Sequence, residues 1–483
     1  MSAGDGSGAT ALDDGPGPEP EANGSYAAGA RILTIGIAST GIFTFAYLAT
    51  ASHVLGKNTG AYSRIALCWS IMFVILSVIY RPIEQLLSRT IADRRARGAH
   101  GHVLRAPAII QGSFAVLFLI VALALRHTIQ HRLFDGSSSL YWILVVGVLA
   151  YAGSYFARGW LAGHQRFALY GGLVFLESTS RFLFALAAAV GIDSGQGAVG
   201  LGMAVAPFVS LSVIPFAFAR IRVHTPGGMK VADAAAAVER ADAGREGPAH
   251  AQLEEAATDL TLSHGSRFAA AVVAIMFSEQ TLMNAGVIVV AANSGFNLNS
   301  GLTGFVFNVL LIVRAPLQLF QAVQTSILPH LTGLAVTDSS DEFRRAIRLT
   351  VLVIAAFAGA VALGLLAIGP FVMKALLGAN HYTYGRLGLA AVGLGMGLHL
   401  TSGTLNQALL ARGRASVASA CWLTAALFFV LFTAFHTIGP EVERVEVGYL
   451  LGTLLLSMLL FAVYRRGSQD ALLAVPAGSP ANG

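Results

Sequence analysis

One stretch of the chain decides its fold class: Leu349-Thr-Val-Leu-Val-Ile-Ala-Ala-Phe-Ala-Gly-Ala-Val-Ala-Leu-Gly-Leu-Leu-Ala-Ile-Gly-Pro370. It carries no charged side chain, and it is the centre of a longer apolar run from Ala346 to Leu376. About 20 consecutive apolar residues are enough for an α-helix to cross the hydrocarbon of a bilayer. The stretch therefore predicts a membrane-spanning helix.

Eleven further apolar runs of similar length lie on both sides of this one, which predicts an all-α, polytopic membrane protein with about twelve transmembrane helices. The composition agrees, because 55% of the 483 residues are hydrophobic and 12% are charged, whereas soluble proteins carry about 25% charged residues. The twelve predicted spans lie near 31–53, 62–86, 106–127, 138–160, 168–190, 197–220, 266–291, 299–327, 346–376, 384–411, 415–437 and 446–465.

Lys and Arg in the connections between spans predict the orientation of the chain. Alternate connections, together with the C-terminal end, hold 20 of these residues, and the other set of connections holds 7. Connections rich in Lys and Arg remain in the cytoplasm. We therefore expect a multi-pass protein of the cytoplasmic membrane with both termini in the cytoplasm. The net charge of +6 reflects this topology, and nucleic acid is not an expected partner.

The longest connection falls halfway along the chain, after six spans, and divides it into two halves. Six is an even number, so both halves enter the membrane in the same direction and any internal repeat is parallel, related by an axis along the membrane normal. The predicted organisation is a disordered cytoplasmic tail (1–29), an N-terminal six-helix lobe (30–220), a cytoplasmic linker (221–265), a C-terminal six-helix lobe (266–466) and a second disordered tail (467–483).

Motifs of catalytic and metal sites are missing from the sequence. Its two cysteines, Cys68 and Cys421, both lie in apolar runs, which excludes a disulfide scaffold. The sequence contains no His-Glu-x-x-His, no Gly-x-Ser-x-Gly and no phosphate-binding Gly-x-x-x-x-Gly-Lys. We therefore predict neither an enzyme nor a protein with a cofactor, a catalytic residue or a bound metal.

Two arginines lie near the centres of predicted spans, where a charge is costly and usually faces a bundle interior or a watery cavity. Arg181 follows Glu177 by one helical turn, so the two can form a self-neutralising pair that eases insertion, or a cavity-facing pair that contacts substrate. Arg314 shares a helix face with Gln318 and Gln321. This polar stripe suits either helix–helix hydrogen bonds or a cavity wall with a cation for an anionic substrate group. We therefore expect water to reach both arginines through a cleft deep between two groups of helices.

Further candidate cavity residues lie on the second and seventh spans. Glu279 could pair with Arg314 or bind a coupling proton or sodium ion, and Asn284 adds an amide one turn later. Arg81 and Glu84 flank a proline near the predicted cytoplasmic end of the second span. Proline permits a kink, and kinked helices suit a cleft that opens alternately to either side.

Three stretches of the chain are similar to one family of membrane proteins. The segment Ala51-Ser-His-Val-Leu-Gly-Lys-Asn-Thr-Gly-Ala-Tyr62 resembles the segment after the first helix of polysaccharide flippases. Arg158-Gly-Trp-Leu-Ala-Gly-His-Gln-Arg-Phe-Ala-Leu-Tyr170 resembles their fourth-to-fifth helix turn. Pro316-Leu-Gln-Leu-Phe-Gln-Ala-Val-Gln-Thr-Ser-Ile-Leu-Pro-His-Leu331 resembles the exit of their eighth helix. The chain thus looks like a member of the multidrug/oligosaccharidyl-lipid/polysaccharide (MOP) flippase superfamily, in its polysaccharide (Wzx-like) branch.

The resemblance implies two six-helix lobes arranged as a V around a central cavity. It further implies a transporter that moves polyprenyl-pyrophosphate-linked oligosaccharide across the cytoplasmic membrane by alternating access, for cell-surface polysaccharide synthesis. The expected partners are this lipid-linked sugar, membrane lipids, a coupling proton or sodium ion and the enzymes of polysaccharide synthesis. Two alternatives are an ion-coupled multidrug or metabolite antiporter of the same fold, and a membrane-embedded glycosyltransferase or polymer ligase.

Overall fold

A computed structural model describes residues 20–56, 59–96, 104–192, 195–219, 248–314, 316–317, 340–378, 382–435 and 439–473 of the chain. Within these ranges the protein is helical throughout, with short turns between antiparallel helices. The predicted all-α polytopic fold is therefore confirmed.

Twelve main helices account for most of the described residues, and each coincides with one predicted span. We number them in chain order. In the first half they are α1 (Pro20–Leu55), α2 (Thr59–Ile75, a π-helical turn at Leu76–Tyr80, and Arg81–Ala96), α3 (Arg105–Ala124), α4 (Ser138–Gly163), α5 (Phe167–Ala189) and α6 (Gln196–Leu211). In the second half they are α7 (Pro248–Asn293), α8 (Leu302–Arg314), α9 (Ser340–Leu377), α10 (Arg386–Ala411), α11 (Ala415–Ala434) and α12 (Glu441–Leu473).

Three helices extend further than the predicted lobes. Helix α1 begins at Pro20, inside the stretch predicted as a disordered tail, and α12 continues to Leu473. Helix α7 begins at Pro248, so the last part of the predicted linker is helical. The Ala- and Glu-rich sequence before the seventh span favours helix by propensity, whereas hydropathy marks only the membrane-embedded part. The remainder of the predicted linker and the outer parts of both tails lie outside the described residues.

Nine of the described helices are long and apolar enough to span a membrane. Helices α3 and α9 are the most exposed on the outside of the bundle. Only 17% of the residues in their most apolar 18-residue segments are buried within the protein, against 67% in α4. Large apolar side chains such as Leu352, Leu363 and Phe371 point outward from α9. A bilayer is the solvent that suits such a surface, which supports a multi-pass membrane protein.

The packing of helices repeats after six helices. Helix α1 packs along α5, and α7 packs along α11 in the same way. Helix α4 contacts α6 as α10 contacts α12, and the α5–α6 contact has its counterpart in α11–α12. Two halves with the same packing scheme and the same direction of entry agree with the predicted parallel repeat.

A π-helical turn interrupts α2 immediately before Pro82. Proline has no backbone N–H, and its ring disturbs the turn that precedes it. The backbone N–H of Arg81 donates to the carbonyl of Leu76, five residues earlier, which widens the turn. π-Helical turns are frequent at functional sites. The second span is therefore irregular beside its proline, as predicted, and the irregularity lies directly before Arg81.

Candidate functional site

Buried charges in the first half gather around one carboxylate, that of Glu177 on α5. Its Oε1 accepts a hydrogen bond from Nη2 of Arg181 at 3.2 Å. Its Oε2 accepts from Nη2 of Arg158 on α4 and from the Ser154 hydroxyl at 3.0 Å. Glu177 and Arg181 are each 3% exposed. Four side chains from two helices thus form one closed network, which we call the Glu177 network.

Aromatic rings enclose the two guanidinium groups of the Glu177 network. The guanidinium carbon of Arg181 lies 5.4 Å from the ring centre of Trp69 and 5.6 Å from that of Phe73, both on α2. That of Arg158 lies 4.6 Å from the ring of Tyr155. Rings at these distances stabilise a cation through their electron-rich faces. The network is therefore compensated by charge, by hydrogen bonds and by aromatic contact.

Arg158 is a residue whose role the sequence did not reveal. Arg158 is one of the 20 Lys and Arg residues that the sequence places in cytoplasmic connections, because basic residues at helix ends normally mark that side. The structure corrects this assignment: Arg158 lies within α4, is 9% exposed, and donates to Glu177. Its position one helical turn after Ser154 was the available signal, since this spacing puts both donors on one face of α4.

Arg314 has a different environment at mid-depth in the second half. It lies about 18 Å along α8 from Leu302, at 1.5 Å per residue, where the hydrocarbon is about 30 Å thick. Its Nη2 donates to the amide oxygen of Asn284 at 2.7 Å and to the backbone carbonyl of Met283 at 3.2 Å. Its guanidinium carbon lies 4.6 Å from the ring centre of Phe307.

The partners of Arg314 among the described residues are all neutral. The side chain is nearly enclosed, at 6% exposure, and within the described ranges its Nε has no hydrogen-bond partner. The suggested pairing with Glu279 is wrong, because Asn284 occupies the place beside the guanidinium. The Asn284 amide also donates to the Gln280 side chain at 3.1 Å, which fixes its orientation. Gln318 and Gln321, predicted to continue this polar stripe, lie outside the described residues.

Arg81, Glu84 and Glu279 form a second, more accessible group where α2 approaches α7. Glu84 accepts a hydrogen bond from the Tyr170 hydroxyl at 2.7 Å. Glu279 has Arg81 as its charged neighbour across the boundary between the two halves. All three charged side chains are half-buried. Together with the Glu177 network they make three cations and three anions, so this part of the site is charge-balanced.

Within the described part of the chain, Arg181 and Arg314 are enclosed by protein groups, at 3% and 6% exposure, and do not line a water-filled opening. The sequence led us to expect that both need water beside them, and the structure corrects that expectation. Arg181 is satisfied by a carboxylate and two rings, and Arg314 by an amide, a carbonyl and one ring. The polar side chains of neighbouring helices replace water, which the position of a charge along one helix does not reveal.

Metal binding has no support in the part of the chain that the structure describes. Within those ranges, no group of three or more His, Cys, Asp or Glu side chains could hold a metal ion. The buried His399 on α10 is hydrogen-bonded to the Tyr449 hydroxyl, which lies 3.0 Å from its Nδ1.

Comparison with known proteins gives structural relatives only. No family model matches the sequence, and no curated protein matches it. Among solved structures, a mutant form of the MATE transporter VcmN of Vibrio cholerae matches with a TM-score of 0.56 and 12% identity, over 93% of this chain and 98% of that chain.

Two further MATE transporter structures also match, one outward-facing and one inward-facing. The outward-facing conformation of a multidrug resistance MATE family transporter of the MOP superfamily has a TM-score of 0.56 and 13% identity, over 93% of this chain and 97% of that chain. An inward-facing conformation has a TM-score of 0.53 and 14% identity, over 92% and 100%. At such identities the likeness establishes the fold. The chain is therefore a multi-pass, all-α membrane protein with the fold of the MATE transporters of the MOP superfamily.

Proposed function

We propose that this protein is a transporter that works by alternating access and moves a lipid-linked oligosaccharide, with a polyprenyl-pyrophosphate carrier, across the cytoplasmic membrane for cell-surface polysaccharide synthesis. One observation carries the choice of an anionic cargo. Arg314 is buried at mid-depth with neutral partners and an unused Nε among the described residues. A cation kept there at a cost of a few kcal/mol needs an anion to complete its environment.

A pyrophosphate is the anion that suits this guanidinium. Arg binds phosphate oxygens through a planar fork of donors, and the bond is stronger in a water-poor site. The amides of Asn284 and Gln280, 3.1 Å apart, lie beside it and can exchange their mutual hydrogen bond for bonds to sugar hydroxyls. The polyprenyl chain requires no enclosed pocket, because the bilayer dissolves it.

The enclosure of Arg314 defines what transport requires of the helices around it. In this conformation Asn284, Met283 and Phe307 of α7 and α8 cover the guanidinium, so a cargo phosphate reaches it only after these two helices of the second half shift. Arg81 and Glu279 face each other across the boundary between the two halves, and separation of the halves leaves Arg81 free to attract a phosphate. Alternating access supplies this movement, and solved structures of this fold include both an inward-facing and an outward-facing conformation.

Translocation of a fluorescent lipid-linked oligosaccharide in proteoliposomes tests the proposal. Arg314→Ala should reduce the rate about tenfold to a hundredfold, the equivalent of one charge-assisted hydrogen bond of about 1.5–3 kcal/mol. Arg314→Lys should retain part of the activity. Arg126→Ala is the matched control, because Arg126 is exposed and lies over the rings of Tyr141 and Trp142 at 5.8 and 5.5 Å, away from Arg314. Transport by Arg314→Ala at the control rate would reject an anion site at this residue.

An ion-coupled antiporter of drugs or metabolites is the second candidate. It is favoured by the solved structures that match, since two of them are multidrug resistance transporters by name. It is also favoured by Glu84 and Glu279, half-buried carboxylates that could carry a coupling proton or sodium ion. Efflux of a cationic dye driven by an imposed ion gradient, lost in Glu279→Gln, together with no movement of the lipid-linked sugar, would establish this function instead.

A further inference from the structure

The two halves are joined by hydrogen bonds at one end of the bundle. The Tyr62 hydroxyl on α2 donates to the amide oxygen of Asn308 on α8 at 2.5 Å. The Asn308 amide donates to the Ser52 hydroxyl on α1 at 3.1 Å, and Ser52 donates to the carbonyl of Leu377 on α9 at 2.6 Å. These three side chains are at most 3% exposed. Each of the three bonds therefore joins the first half to the second, and none of them involves a charge.

Glycine permits the close approach of α2 and α8 beside these bonds. The backbone N–H of Gly304 donates to the Ser63 hydroxyl at 3.1 Å. A Cβ at residue 304 would lie 2.7 Å from the Tyr62 ring and 3.1 Å from the Ser63 oxygen. Such a contact is too short, so any larger residue must push the two helices apart. The bond between Gly304 and Ser63 exists because residue 304 has no side chain.

Arg64 extends the same contact to the turns that join the helices. Its Nε donates to the Gln196 side chain at 2.8 Å, and its Nη1 donates to Asp135 at 3.2 Å. The same Nη1 reaches the side-chain oxygen of Asn299, in the second half, at 3.5 Å. Three connecting turns thus meet on one guanidinium that is 9% exposed.

We propose that these residues form a reversible latch that closes the end of the transporter at which Arg64 lies, the end that the charge distribution predicts to be extracytoplasmic. We call it the outer latch: Ser52, Tyr62, Ser63 and Arg64 of the first half with Asn299, Gly304, Asn308 and Leu377 of the second. Its chemistry suits repeated opening and closing. When this end opens, the hydroxyls and amides lose their hydrogen bonds to each other and form hydrogen bonds to water instead. Apolar contacts of the same area would be exposed at a cost on every cycle.

The latch rests on the proposed transport function, and cross-linking tests the two together. In a background with Cys68→Ser and Cys421→Ser, the pair Ser52→Cys and Asn308→Cys, at positions whose side chains are hydrogen-bonded at 3.1 Å across the halves, should cross-link under mild oxidation and stop transport, and a reducing agent should restore it. The control pair is Ser402→Cys and Ser457→Cys, whose hydroxyls lie 2.8 Å apart within the second half. It should cross-link without effect. Transport that continues through the Ser52–Asn308 cross-link would overturn the latch.

A measurement without cargo separates the latch from the transport function. Spin labels at Ser138→Cys and Ser300→Cys, which are exposed positions of opposite halves, report the separation of this end by double electron–electron resonance. Gly304→Leu and Asn308→Ala should each add a longer distance population, and Ser457→Ala should not. Unchanged distances in both latch variants overturn the latch. If the latch variants show longer distances but the protein moves no lipid-linked sugar, the proposed latch stands and the proposed cargo is rejected.

Discussion

Two buried arginine sites, the Glu177 network in the first half and Arg314 in the second, are stabilised in opposite ways. In the first half, Glu177 accepts hydrogen bonds from both Arg158 and Arg181, and aromatic rings cover the remaining faces. In the second half, Arg314 has an amide and a carbonyl as hydrogen-bond partners. A charge compensated inside its own half is a fixed part of that half, whereas a charge held by neutral groups retains capacity for an anion.

Removing the shared carboxylate should produce the largest change in stability. Glu177→Gln leaves Arg158 and Arg181 as two buried, unpaired cations, and breaking a buried ion pair in this way costs about 3–5 kcal/mol. The free energy of unfolding in detergent micelles measures the loss. The triple variant Arg158→Met, Glu177→Met, Arg181→Met should recover most of it, because no unpaired charge remains. A single variant as stable as the wild type would show that the network contributes nothing.

Loss of the bond between Tyr170 and Glu84 should have an intermediate effect. Tyr170→Phe removes one hydrogen bond of 2.7 Å to a half-buried carboxylate, and such bonds between membrane helices contribute about 1 kcal/mol. Thermal unfolding of the purified variant, with Tyr382→Phe as a control on a half-buried tyrosine of the second half, gives the difference. Equal losses in the two variants would contradict a specific role for the Glu84 contact.

Removing one donor from the Glu177 network should have a smaller effect. Ser154→Ala deletes the hydroxyl that donates to Glu177 at 3.0 Å, but both guanidiniums remain on the carboxylate. Interhelical hydrogen bonds of this kind average about 0.6 kcal/mol, and we expect a destabilisation of that size in denaturant unfolding. A loss as large as that of Glu177→Gln would mean that the hydroxyl, and not the charge pairing, holds α4 to α5.

The smallest change in stability is expected at Arg314, although its effect on transport is expected to be large. Arg314→Met leaves no unpaired charge, because Asn284 and the Met283 carbonyl are neutral. The free energy of unfolding should change by less than about 1 kcal/mol, or rise. Unfolding in micelles, paired with the translocation assay, separates the two effects. A loss of several kcal/mol would place Arg314 among the fixed structural charges and remove the contrast between the two sites.

The fold could be predicted in more detail than the site. Each of the twelve predicted spans coincides with a helix, because hydrophobic length is a property of each segment by itself. The helix ends at Pro20 and Leu473 were missed, since apolar length does not mark where a helix continues into water. Arg158 was read as a loop residue and proved to be a partner of Glu177, because a basic helix end looks the same in sequence whether it faces water or a carboxylate.

Glu177 and Arg181 were paired correctly from their spacing, since residues four apart on a helix are neighbours whatever surrounds them. Asn284 was recognised as a polar residue of the seventh span, but its bond to Arg314 depends on how α7 and α8 pack. The same is true of the contact between Tyr62 and Asn308, which are distant in sequence and joined only where the two halves meet.

Hydropathy and charge along the chain were enough to predict a membrane protein with about twelve spans and to identify the spans that carry charge, because these properties follow from the transfer of each segment from water to lipid. Which charges neutralise one another, and where the halves touch, follows from helix packing. The physical reason is distance: ion pairs and hydrogen bonds act over a few ångströms, and helix packing, not order along the chain, brings their partners that close.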